Sequence, residues 1–307
     1  MSSSSSSLSL PSLLTTSGEI TCGGYVDVGY VDVGSEGSAT LILGSGSGML
    51  VLRAGKEEEE DVVVDTKSGS LTCFGTCGRD VVMVGDSEGS VTLIWRKTGG
   101  ILARLSLTDS SLTALAGPPD TCDSQTCVAV SQDRVLHGFD AHGRNYQVSL
   151  PTHSPSPVYL AWDGTPGLPR TLVATGSEVL VLAKRACVAA AELPGSASAL
   201  SCGPDNAAVV GSLLGLVYRV CLATGEVDVC GNAVAEVTRV VFGRLGGEDV
   251  MAVVADAPLV RVFAYPGGEM VGEIETGVCP MDAVFGPGGL CVVGEGGEEV
   301  VYPVRAR

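Results

Sequence analysis

Residues 79–106 read RDVVMVGDSEGSVTLIWRKTGGILARLS. Asp80 to Val84 form an apolar, β-branched run, and Gly85-Asp86-Ser87-Glu88-Gly89 supplies the residues that a tight hairpin demands. A second run ends at Trp95, Thr98-Gly99-Gly100 marks another turn, and a third run covers Ile101 to Leu105. Short strands joined in succession by glycine turns read as an antiparallel meander.

The same unit recurs along the chain. A small residue closes the second strand of each copy, at Gly44, Gly85, Ser131, Gly176, Gly211, Ala255 and Gly294, at intervals of 35 to 46 residues. The mean period of about 42 residues is the length of a four-stranded propeller blade. The first unit places strands near Glu19 to Gly29, Ala39 to Leu43, Met49 to Arg53 and Asp61 to Asp65, and the third runs from Ser111 to Leu150. These repeats predict an all-β, seven-bladed β-propeller of four-stranded antiparallel blades, one domain over residues 17–307. The seventh unit offers three strands. The serine-rich segment 1–16, with its alternating Leu8 and Leu10 and with Pro11 tolerable on an outermost strand, is expected to supply the fourth and close the ring. The alternative is a disordered tail.

Composition agrees with many short strands. Apolar residues make up 45% and aromatics only 5%, and there are 42 glycines. A chain of 307 residues has ample core to bury. The formal charge of −17 repels phosphate backbones and anionic lipid, which argues against nucleic-acid or membrane-surface partners. No apolar run reaches the roughly 18 to 20 residues of a membrane-spanning helix. Six serines follow Met1, and the first basic residue is Arg53, so neither a transit peptide nor a secretory signal is expected. Eleven cysteines without repeated spacing suit reduced thiols in a cytoplasmic or nuclear protein better than a disulfide framework or a zinc site.

The units resemble those of WD-repeat propellers over nearly the whole chain from Ser17. The most specific stretch is VGDSEGSVTLIW at 84–95, followed by Thr98-Gly99-Gly100, and Ala223-Thr224-Gly225-Glu226 repeats that cue. The chain departs from the family in lacking any Gly-His dipeptide, and its third strands end in pairs such as Trp95-Arg96 and Phe139-Asp140. The lone Trp162-Asp163 pair falls at the end of a first strand. The family's buried Asp, His, Ser or Thr and Trp network therefore maps onto no position here. The resemblance implies a protein-binding scaffold, a subunit of a multi-protein complex.

No catalytic constellation, cofactor site or metal site is expected. His142 and His153 fall in connections at opposite ends of a strand, about 20 Å apart, and His137 lies mid-strand. The glycines of Gly44-Ser45-Gly46-Ser47-Gly48 lack the Gly-Lys-Ser/Thr ending of a phosphate loop. Glu298 and Glu299 are adjacent on a strand and point to opposite faces. The run Lys56-Glu57-Glu58-Glu59-Glu60-Asp61 reads as a solvated loop or, alternatively, a docking segment for a basic partner.

A distributed signal remains. The turns between second and third strands share one face of a propeller, and they hold Asp86, Glu88, Asp133, Glu178, Asp256 and Glu295, with Arg134 as the main basic residue. Asp in a hairpin turn often serves only the backbone. Together, however, these carboxylates would favour a basic peptide or subunit tail, and they are the candidate partner-binding residues. The competing expectation is a small-ligand or enzymatic site in the central channel, drawing on Thr21, Thr72, Thr113, Ser201, Arg239 and Asp282.

Overall fold

The computed structural model describes residues 20–26, 40–54, 61–78, 80–118, 126–150, 156–163, 170–183, 185–205, 207–286, 289–294 and 299–303. Among them are seven antiparallel sheets, six of four strands and the last of three, each pairing its strands in simple chain order. The first strands are Ile20–Val26, Leu71–Cys77, Leu112–Ala116, Val158–Asp163, Ala197–Cys202, Val237–Leu245 and Pro280–Gly286. Each lies against the first strand of the next sheet, and Pro280–Gly286 also lies against Ile20–Val26. This is the arrangement of a β-propeller, and the strands fall where the apolar runs and glycine turns predict them. The ring-closing expectation for residues 1–16 lies outside the described residues.

Burial explains why inner strands read as unbroken apolar runs. In the second sheet the strands Val81–Asp86 and Ser90–Trp95 are buried at almost every position, because both faces meet neighbouring sheets. The fourth strand, Ile101–Ser106, alternates between exposed and half-buried positions. The core is a succession of inter-sheet layers rather than one nucleus. Leu50 and Leu52 of the first sheet pack with Val82, Val84 and Ile94 of the second. At the other end, Val260 and Val262 of the sixth sheet pack with Phe285 and Leu290 of the seventh. Each fully buried Leu, Val or Phe contributes roughly 1.5–3 kcal/mol relative to exposure. The layers demand close approach at chosen points: a Cβ on Gly211 would overlap Val237 of the next sheet, so only glycine fits there.

A local irregularity repeats with the sheets. In six of the seven, the pairing of first and second strands shifts by one residue near the start of the first strand, leaving Thr21, Thr72, Thr113, Ser198, Thr238 or Met281 out of register. Such a bulge re-aims the residue it releases. Thr72 Oγ1 donates to Leu112 O at 2.6 Å, and Ser198 Oγ donates to Val237 O at 2.6 Å, both carbonyls belonging to the next sheet. The hydroxyls of Thr72 and Ser198 therefore stitch neighbouring sheets together.

The pairing also corrects the repeat landmark. The residues facing the start of each first strand are Ser45, Asp86, Ser131, Thr175, Ser212, Ala255 and Gly294. Gly44, Gly85 and Gly211 stand one residue earlier and Gly176 one later. The equivalent position is defined by its place in the strand pairing, not by small size.

Candidate functional site: the face of the hairpin turns

At Ser45, Asp86 and Ser212 the side chain caps the turn between second and third strands. Met49 N donates to Ser45 Oγ at 3.1 Å and Leu216 N to Ser212 Oγ at 3.0 Å. Glu88 N and Ser90 N both donate to Asp86 Oδ1 at 2.9 Å. Asp86 is 2% exposed, so its carboxylate serves the turn and is not presented to a partner, which corrects its place among the candidate binding residues.

Backbone bonds bring the described turns of the first six sheets to one face. The connection leaving each fourth strand bonds back to the turn of its own sheet: Leu107 N donates to Gly89 O at 3.0 Å, Leu150 N to Arg134 O at 3.0 Å and Ala233 N to Gly215 O at 2.6 Å. The connection then accepts from the next turn, with Gln132 N donating to Ser111 O, Leu213 N to Ser196 O and Asp256 N to Glu236 O. The described turns and connections thus alternate along one face. On it Glu88, Asp133 and Asp256 are exposed and Glu178 is half-buried. Glu295 lies outside the described residues.

Arg134, the one strongly basic residue in these turns, points inward. It occupies the turn position held by Gly48, Gly89 and Gly215 and shares their positive φ, at 65°. Its Nη1 donates to Ser156 O at 2.7 Å and its Nη2 to Thr175 Oγ1 at 2.8 Å, tying the third sheet to the fourth. The carboxylates therefore face solvent without a neutralising guanidinium from their own turns. A second feature of the face went unmarked in the sequence reading. The fifth turn carries Leu213 and Leu214 at its tip, both exposed, where the other described tips hold Gly46-Ser47, Ser87-Glu88, Gln132-Asp133, Gly176-Ser177 and Asp256-Ala257.

The channel candidates have structural partners. Thr72 and Ser201 donate to carbonyls of the adjoining first strands, and Thr113 donates to Val130 O. Arg239 Nε stands 3.3 Å from Asp282 Oδ1, across the junction of the sixth and seventh sheets. The side chain of Thr21 lies outside the described residues. Of the histidines, His137 is buried with Nε2 3.1 Å from Ser131 Oγ; burial chiefly, then Arg144, pushes its pKa below the usual imidazole value. His142 sits in the turn between third and fourth strands, and His153 lies outside the described residues. No group of three or more metal-ligating side chains is found among the described residues. Trp162 and Asp163 end the first strand of the fourth sheet, where Arg170 Nε donates to Asp163 Oδ2 at 2.6 Å.

The opposite face, formed by the remaining turns, carries a knot of polar side chains. Tyr265 Oη donates to Asp205 Oδ1 at 2.6 Å, and Arg219 donates from Nε and Nη2 to Asp205 Oδ2 at 2.9 and 2.6 Å. Burial acts to raise the carboxyl pKa of Asp205, but the bonds from Tyr265 and Arg219 outweigh it and hold the group below its usual range. The knot joins the fifth sheet to the sixth, where the Tyr265 and Phe242 rings meet edge to face at 5.1 Å.

No protein-family profile matches the chain, and no curated protein matches it by sequence. Its fold is similar to solved propellers. The WD40 β-propeller domain of Doa1 aligns with a TM-score of 0.69 at 12% identity, covering 92% of this chain and 95% of that one. The computationally designed protein Ika8 aligns at 0.67 with 14% identity, over 94% and 97%. BamB from Moraxella catarrhalis aligns at 0.60 with 12% identity, over 93% and 99%. The chain has a β-propeller fold, similar to that of the WD40 domain of Doa1.

Proposed function

We propose that this protein is a non-enzymatic binding platform: a closed, seven-bladed ring, a subunit of a multi-protein complex, that holds a basic segment of a partner on the face of its hairpin turns. The single observation that carries the reading is the charge of that face. Glu88, Asp133 and Asp256 project from the second, third and sixth turns, while Arg134 is turned into the junction of two sheets. A set of like charges on one rigid face steers and selects an oppositely charged partner. Closure is supported by the packing of Pro280–Gly286 against Ile20–Val26. The channel reading is weaker because Thr72, Thr113 and Ser201 already donate to backbone carbonyls. A basic protein partner, neither nucleic acid nor membrane, in the cytoplasm or nucleus, fits the overall charge of −17.

The test is capture of partners by the tagged protein at low salt and near 1 M salt, where the Debye length falls to about 3 Å. A triple variant, Glu88→Gln with Asp133→Asn and Asp256→Asn, runs beside the wild type. Stoichiometric partners whose retention at low salt falls with the triple variant support the reading. Equal retention by both proteins contradicts it.

A further inference from the structure

The exposed apolar residues of the turn face are not scattered. Leu213 and Leu214 at the tip of the fifth turn are 48% and 81% exposed, Val234 in the following connection is 58% exposed, and Val278 in the next is 38% exposed. Backbone bonds place Val234 beside the fifth turn and Val278 one turn further round. Ala233 donates to Gly215 O and Asp256 to Glu236 O, so Val234 lies between the fifth and sixth turns. Thr276 N donates to Pro258 O and Thr276 Oγ1 to Val278 O, which sets Val278 beside the sixth turn.

Turn chemistry gives no reason for the leucines. The cap is made by Ser212 and the positive φ by Gly215, so the two intervening positions are free to be polar, and the tips at 46–47, 87–88, 132–133 and 176–177 carry no large apolar side chain. One exposed leucine needs no explanation, but a contiguous apolar group rimmed by charge marks a contact surface. The rim here is acidic: Glu236 and Asp256 are exposed beside Val234.

We infer that Leu213, Leu214 and Val234 form the anchor site of the turn face, which takes a short partner segment with adjacent apolar side chains flanked by lysine or arginine. This rests on the acidic-face reading and deepens it. The leucines bury the partner's apolar pair, and the flanking cations meet Asp256 and Glu236. Charge sets approach and register, whereas apolar burial at the centre of the patch sets the residence time.

The probe is a panel of synthetic peptides of about a dozen residues in four sets: an apolar pair flanked by Lys/Arg, a Ser-Ser pair flanked by Lys/Arg, an apolar pair flanked by Ser, and an apolar pair flanked by Glu. The full-length wild type should retain the first set most tightly. A double variant, Leu213→Ser with Leu214→Ser, should weaken the first set by about tenfold or more and leave the second unchanged. Both substitutions lie at an exposed tip, so an unaltered unfolding midpoint is expected to accompany the loss. Undiminished binding of the first set by the double variant overturns the anchor, even if basic peptides still bind better than acidic ones. Equal binding of the Lys/Arg-flanked and Glu-flanked sets overturns the acidic-face reading on which the anchor rests.

Discussion

Arg134 Nη2 donates to Thr175 Oγ1 at 2.8 Å, joining the turn of the third sheet to the end of the second strand in the fourth. Arg134 holds a positive φ of 65° to do so, in a position where three sister turns use glycine. Two opposing effects follow. Losing the guanidinium should destabilise by about 1–3 kcal/mol, and removing the Cβ from a left-handed backbone should return about 1 kcal/mol. Arg134→Ala should therefore lower the urea midpoint more than Arg134→Gly. If the glycine variant proves the less stable, the strain assigned to this turn is wrong.

The hydroxyl stitches are the second point of test. Ser198 is buried and donates to Val237 O at 2.6 Å, so Ser198→Ala leaves that carbonyl without its donor. A loss of about 1–2 kcal/mol is expected in equilibrium unfolding. Thr72→Val keeps the shape and removes the donor to Leu112 O, and it should give a loss of the same order. Neutral outcomes at both positions would remove the stitches from the account.

Turn caps give a graded prediction. Asp86→Ala removes an acceptor from two backbone donors, Glu88 N and Ser90 N, and should cost about 1–3 kcal/mol. Asp86→Asn keeps an acceptor oxygen and should cost less than the alanine. Because Asp86 is buried in its own turn, neither variant should change capture of a basic partner beyond what reduced stability explains.

The pH dependence of stability should report the Asp205 knot. The folded carboxyl pKa lies below the unfolded one, so its contribution is fully present above the unfolded value of about 3.9 and is lost as pH falls through the folded value. Tyr265 is shifted the other way, raised by burial and by its bond to Asp205. Its contribution is present below the unfolded tyrosine value of about 10 and fades as pH rises above it. Tyr265→Phe removes a donor to the Asp205 carboxylate. It should lower stability near neutrality by about 1–3 kcal/mol and flatten the acid limb of the profile. An acid limb as steep as that of the wild type would show that Tyr265 does not hold Asp205 ionised.

Thiol labelling separates two cysteines of the fifth sheet. The Thr224 side chain, then the Thr224 and Ala223 N–H groups, bond Cys221 and lower its pKa, which raises its thiolate fraction near neutral pH. Burial pushes Cys230 up to about 11. Iodoacetamide should label Cys221 well before Cys230, and Thr224→Val should slow the former alone.

The strand pattern was legible in the sequence because buried hairpins need unbroken apolar runs closed by glycine turns, as in VVMVGDSEGSVTLIW. The true repeat landmark was not. Ser45, Asp86, Thr175, Ala255 and Gly294 share a place in the pairing, not a residue type, and glycines one residue away offered a more uniform but shifted marker. Half of the candidate face could be read from acidic turn tips such as Glu88 and Asp133. Sorting Asp86 from Glu88 required burial, since both are acidic residues of one turn. The Leu213-Leu214 pair was visible as letters, but its meaning depends on knowing that Ser212 and Gly215 already satisfy the turn. Arg134 with Thr175 and Tyr265 with Asp205 join residues 41 and 60 positions apart, and no local pattern announces them.

The most direct measurement is hydrogen–deuterium exchange of the full chain with and without the tightest peptide of the basic, apolar-paired set. Added protection should appear in the turns 86–89, 131–134, 212–216 and 255–258 and in the connection 233–237, strongest around Leu214. The turns of the opposite face, 96–100, 221–226 and 264–269, should be unchanged. Protection confined to those opposite turns or to the outer strands, with the hairpin-turn face unaltered, would contradict the claim that this face is where the protein holds its partner.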